Sequence, residues 1–149
     1  MSRLQLALNV SDIDQGVDFY SRLFGVTPHK RRPGYANFEV ADPPLKLVLF
    51  EAGADAERLN HLGVEMTTIE QVGQTTGRLQ SEGLDPDLDP DTTCCFATQE
   101  KAWVTDPDGS RWEVYTITDD DPDGLGVEGE EGAACAATAD GEESAAACC

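Results

Sequence analysis

The order of structural signals in this chain repeats once, and that repeat restricts the available folds more than any other feature. The segment Leu4-Gln5-Leu6-Ala7-Leu8-Asn9-Val10 has the length and apolar density of a buried strand, and Ser11 or Asp12 then offers a helix N-cap. Ile13, Val17, Phe19, Tyr20, Leu23 and Phe24 recur at three- and four-residue steps, which predicts a helix that Gly25 is placed to stop. Strand patterns follow around Tyr35–Val40 and 46–51, separated by the turn residues Asp42-Pro43-Pro44. The order then returns: a strand at 60–66, a helix over Ile69–Ser81 ended by Gly83, and strands near 94–98, 102–105 and 111–117, with Asp106-Pro107-Asp108-Gly109 as the last turn. Gln5-Leu6-Ala7-Leu8 can be laid over His61-Leu62-Gly63-Val64, and Leu47-Val48-Leu49-Phe50 over Trp112-Glu113-Val114-Tyr115. The chain reads as an α+β protein built from two βαβββ repeats, about 3–52 and 59–118.

With 149 residues there is room for one compact domain, expected over residues 1–118. The formal charge of -19 divides unevenly by length, because residues 119–149 carry ten acids and no base. That stretch is Asp, Glu, Gly and Ala with almost no large apolar side chain, so it is expected to form a disordered, acidic, cysteine-containing tail. So negative a chain would be repelled by nucleic acids and anionic membranes, which excludes both as partners. No apolar run approaches a membrane span and the N-terminus lacks a signal peptide's apolar region, so a cytoplasmic location is expected. The acidic, proline-rich segment 84–91 should be an exposed loop, since it cannot join a sheet interior.

Three polar residues interrupt apolar strand patterns at related positions: Gln5, its repeat counterpart His61, and Glu113 in the last strand. Burying such groups is costly, and coordinating a cation is one way to satisfy them. Alternatives stand beside each one. His61 also reads as a core or surface histidine bonded to a carbonyl, and Glu113 as a solvent-facing carboxylate on an edge strand beside Arg111. Their matching places in the two repeats favour a shared site.

Asn9-Val10-Ser11-Asp12, Phe19-Tyr20-Ser21-Arg22-Leu23-Phe24-Gly25, His61-Leu62-Gly63-Val64 and Asp106-Pro107-Asp108-Gly109 with Trp112-Glu113-Val114-Tyr115 resemble the vicinal oxygen chelate superfamily of glyoxalases, extradiol dioxygenases and antibiotic-resistance proteins. The resemblance covers residues 3–118. It implies that the repeats form a cupped mixed sheet holding a divalent metal, with Gln5, His61 and Glu113 as ligands. A glyoxalase-like fourth ligand would fall at Val48, and an apolar residue there leaves open coordination positions of the kind Fe(II) enzymes use for oxygen and substrate.

Cys94 and Cys95 are adjacent, and adjacent thiols can grip one soft ion such as trivalent arsenic. In a regular strand neighbours face opposite ways, so convergence requires a loop, bulge or strand entry. Read from composition alone, one of the two is a small core residue. The strings Thr92-Thr93-Cys94-Cys95-Phe96-Ala97, Pro33-Gly34-Tyr35-Ala36-Asn37-Phe38, Pro43-Pro44-Leu45-Lys46-Leu47 and Leu59-Asn60-His61-Leu62-Gly63-Val64-Glu65 are further similar to the carbon-arsenic lyases and to cadmium-inducible relatives. That resemblance implies an Fe(II)-dependent dioxygenase of organoarsenical degradation and arsenic resistance. It would use O2 as co-substrate to cleave trivalent organoarsenicals such as methylarsenite and trivalent aromatic arsenicals, leaving inorganic arsenite. Cys94 and Cys95 would hold the arsenic. Cys135, Cys148 and Cys149 are accessory thiols, either capturing arsenicals or incidental, and Lys101 is either a cation near the thiols or a solvated turn residue.

Two other readings remain at this point: a cadmium- or arsenic-binding resistance protein without oxygen chemistry, and a glyoxalase-type isomerase. The latter needs a fourth ligand, which an inward-turned Glu51 would supply. As a partner a small-molecule organoarsenical is expected, and the chain is expected to act as a monomer or homodimer.

Overall fold

The computed structural model describes residues 1–94 and 96–126, and within them the repeat governs the architecture. The first copy contains β1 (Arg3–Val10), α1 (Ile13–Phe24), β2 (Lys30–Arg32), β3 (Tyr35–Val40) and β4 (Leu45–Glu51). The second contains β5 (Leu59–Glu65), α2 (Ile69–Ser81), β6 (Asp87–Cys94), β7 (Ala97–Thr105) and β8 (Arg111–Asp119). One mixed sheet takes in all eight strands in the order β2-β3-β4-β1-β5-β8-β7-β6. Exchanging the copies reverses that order onto itself. β1 and β5 meet antiparallel at the centre, each with its own copy's last strand parallel on the other side.

The register agrees with the sequence alignment of the repeats. Ala7 faces Val48 in the β1–β4 pair, and Gly63 faces Glu113 in the β5–β8 pair. Across the centre Gln5 faces Gly63 while Ala7 faces His61. The exchange therefore relates Gln5 to His61 and Val48 to Glu113.

Local chemistry explains the helix limits. Extended Asp12 accepts a hydrogen bond from Gln15 N at 2.9 Å, and Gly25 closes the end of α1 at a left-handed φ of 66° that Cβ-bearing residues avoid. Thr68 caps α2 in the same way. The Glu51 carboxylate accepts from Ile13 N at 2.8 Å, so Glu51 serves the start of α1 and not the cup. Strand alternation then sorts the side chains: Leu45, Leu47 and Leu49 of β4 pack with Ala36, Phe38, Ile13 and Val17 under α1, whereas Lys46, Val48 and Phe50 line the opposite, concave face. Leu47 and Leu49 are fully buried, and truncating either to Ala should cost about 2–5 kcal/mol.

Part of the expected loop over 84–91 is instead strand β6, which pairs with β7 at the sheet edge. An edge strand needs no inward-facing donor at every residue, so Pro90 is tolerated there. The register shift between Asp89 and Thr92, with Asp91 at φ 51°, accommodates it. The expected strands at 94–98 and 102–105 are likewise redrawn: Cys94 ends β6 and a single strand β7 runs through Ala97–Thr105. No helix among the described residues is long and apolar enough to cross a membrane.

Candidate functional site

Gln5, His61 and Glu113 are brought together on the concave face by three adjacent strands, β1, β5 and β8. All three are almost fully buried. His61 Nε2 lies 2.9 Å from Gln5 Nε2 and 3.3 Å from Glu113 Oε1, and the Gln5 amide donates to Glu113 Oε1. On the other side of the ring, His61 Nδ1 is 2.8 Å from Asn60 Oδ1, an acceptor only. The Asn60 amide is itself oriented by donating to Asn9 Oδ1 at 3.0 Å. The imidazole proton therefore sits on Nδ1, and the Nε2 lone pair faces the cluster. Aromatic rings confine the imidazole: Trp103 edge-on at 5.3 Å and Phe50 at 6.4 Å between centroids, with the Arg111 guanidinium 4.0 Å above the Trp103 ring. Glu113 is thus neither at an edge nor solvent-facing, and Arg111 pairs with an aromatic ring.

Gly63 makes the approach possible. A Cβ there would stand 2.8 Å from Glu113 Cγ and 3.1 Å from the Glu113 carbonyl oxygen.

The cluster opens on a cavity of about 20 Å³, on the scale of one water, whose lining includes Tyr35, Asn37, Gln99 and Tyr115. Four buried polar atoms on this lining have no hydrogen-bond partner: Asn37 Oδ1, Gln99 Oε1, Glu113 Oε2 and Tyr115 Oη. Orphaned polar atoms gathered around one cavity indicate a place built for a polar or charged occupant. Burial, together with the nearby Glu65 and Glu113 carboxylates, pushes the Tyr115 hydroxyl well above its ordinary pKa, so it remains a neutral donor. Lys101 is neither exposed nor in a turn. It is buried on β7 with Nζ 5.5 Å from the Trp103 centroid, and burial lowers its pKa against the opposing pull of Glu113 and Asp89.

The donor set fits a divalent cation. The Gln5 amino group, with its two hydrogens, now occupies the point toward which His61 Nε2 and Glu113 Oε1 direct lone pairs. Half a turn of the amide would present an oxygen there instead. Among the described residues no three His, Cys, Asp or Glu side chains gather as a metal cage, because here the third group is an amide.

Cys94 closes β6, is half-buried and is disulfide-bonded. Its carbonyl accepts from Gln99 Nε2 at 3.2 Å. The turn beyond it leans on the cavity wall through Phe96, which has φ 64° and a ring 5.1 Å from that of Tyr35. Cys95, Cys135, Cys148 and Cys149 lie outside the described residues. Asn60, Asn37, Gln99 and Tyr115 escaped the sequence reading. For Asn37, Gln99 and Tyr115 the only signal there is a polar residue at cup-facing spacing within an apolar strand, and Asn60, exposed beside His61, carries none.

A cupped sheet made of two βαβββ copies with a polar cluster at its centre is the vicinal oxygen chelate fold. Residues 3–114 match the Glyoxalase/Bleomycin resistance protein/Dioxygenase superfamily, and the chain belongs to that family. It is 57% identical over 120 residues to the cadmium-induced protein CadI of Mycobacterium tuberculosis, covering 80% of this chain and 79% of that one. It is 56% identical over 121 residues to the trivalent organoarsenical cleaving enzyme of Thermomonospora curvata, covering 80% of each. Among solved structures, an extradiol ring-cleaving dioxygenase from B. fuscum superposes with a TM-score of 0.55 at 21% identity, over 78% of this chain and 32% of the other.

Proposed function

We propose that the protein is an Fe(II)-dependent dioxygenase that cleaves the carbon-arsenic bond of trivalent organoarsenicals. Gln5, His61 and Glu113 would hold the metal, and Cys94 and Cys95 the arsenic. The observation that carries this reading is the convergence of those three side chains in a buried cluster beside a cavity ringed by unpartnered polar atoms. The identity to a trivalent organoarsenical cleaving enzyme supports the substrate class.

When bound, Fe(II) would supply the one-electron chemistry that lets O2 react with the carbon on arsenic. The rest falls to the chain. Asn60 holds the His61 proton on Nδ1 so that Nε2 stays a lone-pair donor. Trp103 and Phe50 keep bulk water from the imidazole, and Gln99 ties the backbone at Cys94 to the cavity wall. A thiol must be reduced to bind arsenic, so the disulfide at Cys94 has to open first. For methylarsenite the overall change balances: CH3As(OH)2 and O2 become formaldehyde and As(OH)3, with carbon oxidised, O2 reduced and arsenic left trivalent.

The test is anaerobic loading of the reduced protein with Fe(II), followed by methylarsenite and air, with arsenic speciation and formaldehyde read from one sample. Iron- and oxygen-dependent arsenite with matching formaldehyde is expected. Tight arsenical binding with no new arsenic species would instead establish sequestration, a reading favoured by the Gln5 amide, a weaker donor than the imidazole of a two-histidine site. Against the glyoxalase-type alternative, neither candidate for its fourth ligand is in place among the described residues: Val48 stands at the position equivalent to Glu113, and Glu51 is engaged at α1.

A further inference from the structure

β2 and the β6–β7 hairpin lie at opposite ends of the eight-strand order, yet one side chain bridges them. Lys30 of β2 is 1% exposed. Its ammonium donates to the Phe96 carbonyl at 2.8 Å, to Asp120 Oδ1 at 2.9 Å and to the Asp120 carbonyl. Three acceptors for three N–H donors leave a buried ammonium satisfied, at a point where no strand pairing spans the gap between the sheet edges. Nearby contacts reinforce the closure. His29 Nε2 is 2.7 Å from Asp120 Oδ2, Arg32 donates to the Gly126 carbonyl at 2.6 Å, and the Arg32 guanidinium lies 5.6 Å from the Phe96 ring centroid. Residues 120–126, which composition alone assigns to the tail, thus lie against β2.

The second end of the bridge matters because of what adjoins it. Phe96 holds a left-handed backbone that a non-glycine residue adopts only when its surroundings impose it. Those surroundings are the Lys30 bond to its carbonyl and the Tyr35 and Arg32 contacts to its ring. Two residues earlier, the Cys94 carbonyl is held by Gln99. We infer that Lys30, clamped by Asp120, is a positioning residue: it latches the open side of the cup and so holds Phe96 against Tyr35, and with it the Cys94 end of β6 beside the cavity onto which Gln5, His61 and Glu113 open. This rests on the assignment of the thiols to arsenic made above. The latch acts on geometry: thiols on a released turn would still bind an arsenical, but would no longer deliver its carbon to the cluster.

Hydrogen exchange on the reduced, full-length protein tests the latch without any metal, with Lys30→Met, Lys30→Arg and Asp120→Asn compared with wild type. In Lys30→Met, exchange should accelerate by about tenfold or more in the peptide spanning the turn, while β1, β5 and β8 stay protected. In the same variant phenylarsine oxide should bind within about threefold of wild type, whereas turnover of the iron-loaded protein falls by about tenfold or more. Lys30→Arg should recover much of that turnover, a rescue that a loss of general stability would not show. Should Lys30→Met fail to fold, Asp120→Asn carries the same comparison at smaller amplitude, because it removes the negative charge that clamps the ammonium while keeping the lysine and an acceptor oxygen. Unchanged exchange in the turn, or wild-type turnover in Lys30→Met, overturns the inference. The thiol assignment fails separately, through wild-type phenylarsine oxide binding and turnover in Cys94→Ser, whatever the exchange data show.

Discussion

Gln5 and His61 occupy exchange-related positions on the two central antiparallel strands, Gln5 opposite Gly63 and His61 opposite Ala7, with their side-chain nitrogens 2.9 Å apart. One member of this pair is an imidazole and the other an amide. If both face one cation, replacing each has a defined sign. Gln5→Ala should weaken Fe(II) binding and Gln5→His should strengthen it, by about tenfold or more in each direction. Calorimetric titration under anaerobic conditions reads both, and equal affinity in wild type and Gln5→Ala removes Gln5 from the ligand set.

Glu113 should separate metal binding from stability. Its Oε2 is buried without a partner, an expensive arrangement for a carboxylate unless a cation approaches it. Glu113→Gln is therefore expected to lose about 100-fold or more in metal affinity while the metal-free protein melts no lower than wild type. A lower melting temperature without metal would mean that the carboxylate supports the fold and not a cation.

Gly63→Ala should be destabilising by about 1–3 kcal/mol, because the added methyl meets Glu113 Cγ at 2.8 Å and backbone at 3.1 Å. Urea unfolding reads the loss. Metal affinity should fall with it, since Glu113 has to move.

Asn60→Ala removes the acceptor that keeps the His61 proton on Nδ1. About a 10- to 100-fold loss of metal affinity is expected, with the melting temperature little changed because Asn60 is exposed. Unaltered affinity would show that the ring is held by Trp103 and Phe50 alone.

Acid should loosen the end of the cup beyond the Gln5, His61 and Glu113 cluster. Burial raises the Glu39 pKa, but Arg3 at 2.7 Å and Lys46 at 3.2 Å prevail and bring it down to about 2 from 4.5. A carboxyl depressed in the folded state contributes stability that is complete above 4.5 and disappears as pH falls toward about 2. Asp120 shifts the same way, with burial opposed by His29 and Lys30. Melting temperature should drop across that interval, and Glu39→Gln should flatten part of the slope.

Much of this organisation was legible along the chain because it is local or periodic. The spacing of Ile13, Val17 and Phe24, the capping group of Asp12 and the glycine at position 25 specify α1 without reference to anything distant. Matching the two copies was enough to pair Gln5 with His61 and Val48 with Glu113, since a repeat carries equivalent residues to equivalent places. The acidic stretch 84–91 reads as loop along the chain, although its second half lies in β6, because its composition reports exposure and an edge strand is as exposed as a loop.

The sequence by itself thus determined the two copies, the faces of their strands, and which polar residues interrupt the apolar patterns. Only the tertiary structure decided that Gln5 donates to both His61 and Glu113, that Asn60 sets the imidazole proton, and that Lys30 spans the two sheet edges to reach Phe96. These are contacts between residues up to 108 positions apart, created by the curl and closure of one sheet. No local propensity encodes them, because they exist only once the two copies have packed.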